Sequence, residues 1–135
     1  MIKKIDHVAI VVEDIERALG VFREALGLQV SQTQSLPEQG VTIAFLPVGE
    51  SEIELLEPLG PDSGVARFLA TRGEGLHHIC LEVEDIDAAL AELKGKGLRL
   101  INETAVAGAH GRVAFIHPKS THGVMVELLE RPGSR

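Results

Sequence analysis

Four polar residues stand where apolar ones belong. His7 opens the run HVAIVV and His78 opens HICLEV, while Glu54 lies inside IELL and Glu127 inside VELL. An isolated carboxylate is costly to bury in such a strand, and a lone histidine there is more often a hydrogen-bonded structural residue. Taken together, two imidazoles and two carboxylates form a mixed nitrogen and oxygen donor set. That set suits Zn, Ni, Co, Mn or Fe(II) and leaves coordination positions for water or substrate. The expectation is one divalent ion held by His7, Glu54, His78 and Glu127.

What makes the four a set is an internal repeat. HVAIVVEDIERAL from His7 aligns without a gap on HICLEVEDIDAAL from His78 at an offset of 71. The match pairs His7 with His78, Val12 with Val83, Glu13 with Glu84, Asp14 with Asp85, Ile15 with Ile86, Ala18 with Ala89 and Leu19 with Leu90. Downstream, Ala44 and Phe45 match Ala114 and Phe115 at an offset of 70, and the ELLE at 54–57 matches that at 127–130 at an offset of 73. The second copy therefore has room for three extra residues in its last hairpin loop. The copies cover about residues 5–58 and 76–131.

Each copy reads as strand, helix, then three strands, a βαβββ module of α+β class. Residues 7–12 and 78–83 are short apolar runs that predict buried strands, followed by Asp14 and Asp85 as helix N-caps and by Gly27 and Gly97 as helix ends. In the first copy, strands are expected at 28–33, 41–46 and 52–57, the last two joined by a turn at 47–51, with a short linking helix at 63–71. Side chains alternate across a strand, so repeat-equivalent residues meet only if the two sheets face a common cavity. The outer acids Glu57 and Glu130 are read as residues of a wet strand face. His77 should point away from its neighbour His78, and His110, His117 and His122 fall in or beside the loops of the last hairpin, with surface or supporting roles.

The 135 residues fit one compact domain, 1–135, and 44% of them are apolar. No apolar run approaches the roughly 20 residues needed to cross a bilayer. The opening MIKKIDHVAIVV lacks a small-residue cleavage site, so a cytoplasmic location is expected. The lone Cys80 cannot form an internal disulfide and should act as a small buried hydrophobe. A net charge of −7 argues against nucleic acid or an anionic membrane as partner, and the absence of Trp and Tyr removes the usual base-stacking platforms.

These residues resemble the vicinal oxygen chelate superfamily, whose fold pairs βαβββ modules around a divalent metal. Within it, IDHVAIVV, PEQGV, IELLEP, GLHHI and FIHPKSTHGVMVELLE resemble the methylmalonyl-CoA epimerases in order and spacing across nearly the whole chain. The resemblance implies His7, Glu54, His78 and Glu127 as metal ligands, and Glu38 of PEQGV as a catalytic base with Glu127 as the second proton carrier. From the residues alone, a solvated loop acid beside Gly40 is the slightly favoured reading of Glu38, and only the resemblance raises the catalytic one above it. Also implied are Co or Mn as the ion with Ni or Zn as alternatives, a small acyl-CoA substrate, and a homodimer. The implied activity interconverts the 2R and 2S epimers through an enolate. Glyoxalase I is the rival enzyme, since it is similar in its His, Glu, His, Glu order. Drug-sequestering members of the superfamily generally lack these ligands and line their cavities with aromatics, at odds with an aromatic content of 3%.

Overall fold

Each half of the chain begins with a strand that runs into a capped helix, and the caps explain where the helices start. In the computed structural model, which describes residues 1–133, strand β1 (Ile2–Val11) leads to α1 (Ile15–Leu19), and β5 (Gly75–Val83) leads to α3 (Ile86–Gly95). The Asp14 carboxylate accepts the Arg17 N–H at 3.2 Å, and Asp85 accepts the Ala88 N–H at 3.1 Å. A second acid reaches each helix start: Glu57 Oε1 accepts the Ile15 N–H at 2.7 Å, and Glu130 Oε1 accepts the Ile86 N–H at 2.9 Å. Both groups are helix N-terminal amides with no partner inside their own helix, which is why acids are recruited to them. Glu57 and Glu130 are thus not residues of a wet face. They close the helix starts because the last strand of each half runs parallel to the first and ends beside the helix.

The remaining elements are β2 (Gln32–Leu36), β3 (Val41–Val48), β4 (Ser51–Pro58), α2 (Gly64–Arg72), β6 (Val106–Ala107), β7 (Arg112–Ile116) and β8 (Met125–Glu130). A π-helical stretch, Gly20–Ala25, continues α1, and 3-10 turns occupy Pro37–Gln39 and Pro118–Ser120. The α+β class and the βαβββ order expected of each copy are both present.

The chain forms two compact units, His7–His77 and Met1–Asp6 with the chain from His78 on. In the first, the strand order is β2-β3-β4-β1, with β4 parallel to β1 and the other pairings antiparallel. One face of this sheet buries Ala44, Leu46 and Leu55 under Ile15 and Leu19 of α1. The other face carries Ala9, Val11, Ile43 and Phe45, against which α2 packs Val65, Phe68 and Leu69. Ser63 caps α2 by accepting the Ala66 N–H at 3.0 Å, so the expected linking helix is present.

In the second unit, the order is β5-β8-β7-β6. Ala89 and Leu90 of α3 cover Val83, Ala114, Ile116 and Leu128. Cys80 packs with Val113 and Leu129 on the opposite face and is fully buried, the small hydrophobe expected.

One strand is displaced from its expected place. The strand predicted at 28–33 lies at Gln32–Leu36, because Leu28 and Val30 serve instead as packing residues of an extended connection against the α1 cluster. The β3–β4 turn is tighter than 47–51: Val48 pairs with Ser51, leaving only Gly49 and Glu50 between them. Among the described residues no helix is long and apolar enough to cross a membrane.

Candidate functional site

The register of the strands brings each histidine to a glutamate. In the parallel pair β1–β4, His7 lies opposite Glu52 and Ala9 opposite Glu54, so His7 and Glu54 are diagonal neighbours on one face. His7 Nδ1 stands 3.1 Å from Glu54 Oε2. In β5–β8 the same register recurs, with His78 opposite Met125 and Cys80 opposite Glu127. His78 Nε2 stands 2.9 Å from Glu127 Oε1. The four side chains belong to residues only 5%, 4%, 6% and 8% exposed in the order His7, Glu54, His78, Glu127.

A phenylalanine faces each acid across the next strand, Phe45 opposite Glu54 and Phe115 opposite Glu127. The Phe115 ring stands edge-on to His78, with centroids 5.4 Å apart at 90°. Such apolar walls raise the cost of a buried carboxylate and favour a cation beside it. Each unit therefore offers one imidazole and one carboxylate of metal-ligand type, buried and fixed on strands.

Glu38 is placed differently. It lies on the exposed turn Pro37–Gln39 and lines a cavity of about 540 Å³ together with Leu59, Asp62 and Ser63. The turn is closed by the Gly40 N–H donating to the Pro37 carbonyl at 3.1 Å, and it is tied to the end of β4 by the Leu59 N–H donating to the Gly40 carbonyl at 2.9 Å.

The other histidines have local work. His77 packs edge-on against Phe68 of α2, with centroids 5.0 Å apart. His117 Nδ1 accepts the Lys119 N–H at 3.0 Å and so caps the Pro118–Ser120 turn. Lost hydration, then the charges of Arg99 and Lys119, hold the His117 imidazole below its ordinary pKa. His122 adopts a left-handed conformation in the loop before β8, and His110 lies in the turn between β6 and β7.

Sequence reasoning missed one buried charge cluster. Asp6, adjacent to His7, accepts hydrogen bonds from Arg131 Nη2 at 2.8 Å and Nε at 3.1 Å. Buried Glu82 lies 3.3 Å from Lys3 Nζ and 3.7 Å from Arg131 Nε. An acid before an apolar strand was visible in the sequence, but its cation lies 125 residues away and no local pattern links them.

Comparison with known proteins agrees with this architecture. The family model of the glyoxalase/bleomycin resistance protein/dioxygenase superfamily matches residues 6–115. The chain is 47% identical over 127 residues to the mitochondrial methylmalonyl-CoA epimerase of Homo sapiens, covering 93% of this chain and 72% of that one. It is 46% identical over 131 residues to the ethylmalonyl-CoA/methylmalonyl-CoA epimerase of Cereibacter sphaeroides, covering 95% of this chain and 98% of the relative. A solved methylmalonyl-CoA epimerase in complex with methylmalonyl-CoA and NH4+ superposes with a TM-score of 0.93 at 36% identity, covering 100% of this chain and 99% of that one. The chain belongs to the glyoxalase/bleomycin resistance protein/dioxygenase superfamily and, within it, to the methylmalonyl-CoA epimerase family.

Proposed function

We propose that this protein interconverts the 2R and 2S epimers of methylmalonyl-CoA by taking the proton from C2 and returning it on the opposite face. The observation that carries this reading is the near end-to-end likeness to the Cereibacter sphaeroides epimerase, which spans both copies of the repeat. His7, Glu54, His78 and Glu127 are the residues that would hold one divalent ion, Co or Mn in preference to Ni or Zn. An ion bound there supplies a Lewis acid that stabilises negative charge developing on the substrate oxygens.

The C2 proton lies between a carboxylate and a thioester, so its removal leaves an enolate that is planar at C2. A single base would tend to return the proton to the face it came from, whereas two carboxylates on opposite faces permit inversion. Glu38, on an exposed turn, takes one face, and Glu127, on β8, takes the other. A well-placed general base is worth roughly 10²- to 10⁴-fold in rate. The same reading takes a small acyl-CoA as substrate and a homodimer as the assembly, both by likeness to the family.

Incubation with methylmalonyl-CoA in deuterium oxide, followed at C2 by NMR, tests the proposal. Exchange at C2 that is lost on treatment with a chelator is expected. Consumption of the glutathione hemithioacetal of methylglyoxal without C2 exchange would assign the protein as a glyoxalase I instead.

A further inference from the structure

Gly40 lies where the turn bearing Glu38 meets the start of α2. Its backbone is left-handed, φ +67° and ψ +33°. A Cβ built there would come 2.7 Å from Ser63 Cβ and 3.4 Å from Ser63 Oγ. The first distance is shorter than two carbon side-chain atoms can tolerate, so one partner would have to move.

Ser63 is the partner that is anchored. Its hydroxyl accepts the Ala66 N–H at 3.0 Å, and its carbonyl accepts the Arg67 N–H at 3.0 Å. The helix it caps is fastened to the sheet by Val65, Phe68 and Leu69. The Glu38 turn is moored at its two ends, by buried Leu36 and by buried Val41, which pairs with Leu36 and Pro58, while Pro37–Gln39 between them are exposed and are held by the Gly40–Pro37 and Leu59–Gly40 backbone bonds already described.

We infer that Gly40 is a positioning residue: by allowing the Pro37–Gln39 turn to seat directly on Ser63, it sets where the Glu38 carboxylate is held. The inference rests on Glu38 being a base. A side chain at position 40 would push the turn off its seat and carry Glu38, two residues earlier, with it. Displacement of a catalytic group by about 1 Å costs on the order of 10²-fold in rate. Binding of substrate by the rest of the protein should be little affected.

The test compares four variants by steady-state epimerisation, with metal content and thermal melting measured on each. Glu38→Gln should be slow. Gly40→Ala should lower kcat by roughly 10- to 100-fold with KM within about twofold of the parent, and the loss should persist when the rate is normalised to the folded, metal-loaded fraction, because loss of folded protein alone also lowers apparent kcat without moving KM. Ser63→Gly should keep its rate within about twofold, because glycine is accepted as an N-cap. The double variant Gly40→Ala/Ser63→Gly should recover most of the lost rate, since no Cβ then faces position 40.

A fully active Glu38→Gln would remove the base and this inference together. A slow Glu38→Gln with a fully active Gly40→Ala would overturn the inference alone. So would a Gly40→Ala defect confined to KM, or one that Ser63→Gly does not relieve.

Discussion

The two halves agree where an ion would be held and differ where a substrate would be handled. Both place a histidine and a glutamate in the same parallel register, both set a phenylalanine opposite the glutamate, and both close the helix start with two acids. The connections are not shared. The first half joins its second and third strands through the turn carrying Glu38, whereas residues 108–111 at the same place in the second half read GAHG and hold no acid. The β3–β4 hairpin turns on Gly49 and Glu50, whereas β7 and β8 are joined through the Pro118–Ser120 turn and left-handed His122. The two halves thus share the strand-borne histidine and glutamate and differ in the loops between strands, and on the proposed mechanism the base that lacks a counterpart in the other half, Glu38, is carried by one of those loops.

The largest expected effect tests the shared part. His7→Ala and His78→Ala should each abolish metal binding and lower C2 exchange by roughly 10³-fold or more. Elemental analysis and the exchange assay check both, and an ion retained after loss of either histidine would break the equivalence of the halves. Next comes the unshared part: Glu38→Gln should keep its metal and lose roughly 10²- to 10⁴-fold in rate.

Smaller effects sharpen the likeness of the frames. Glu57→Ala and Glu130→Ala should each cost about 1–2 kcal/mol in urea denaturation, because each leaves a helix N–H without its carboxylate. Asp14→Ala and Asp85→Ala should each cost about 1 kcal/mol as lost N-caps. Unequal costs within either pair would show that the two helix starts are not energetically alike.

Legibility followed the reach of the interaction. The helix caps Asp14 and Asp85 and the linking helix capped by Ser63 were readable because each rests on residues a few positions apart, and the repeat because its first stretch aligns without a gap at one fixed offset. The four candidate residues stood out because polar residues recur at equivalent places in apolar strands, and all four are buried. The second strand was not: QTQSL is a mostly exposed edge strand with no hydrophobic signature, while Leu28 and Val30 beside it mimic one. The roles of Glu57 and Glu130 depend on parallel pairing that carries each acid to a helix some 40 residues away. Their recurrence in both copies was the available signal, and pairing them with the equally recurrent helix starts would have used it. The Asp6–Arg131 bond, across 125 residues, had no such signal.

Counting metal ions per chain, in the parent and after changing either pair, decides whether the two histidine–glutamate pairs share one ion. One tightly held ion per chain, lost when either His7 or His78 is replaced by alanine, is expected. Two ions per chain, or one that survives either substitution, would show that the pairs act separately and that no single ion joins them.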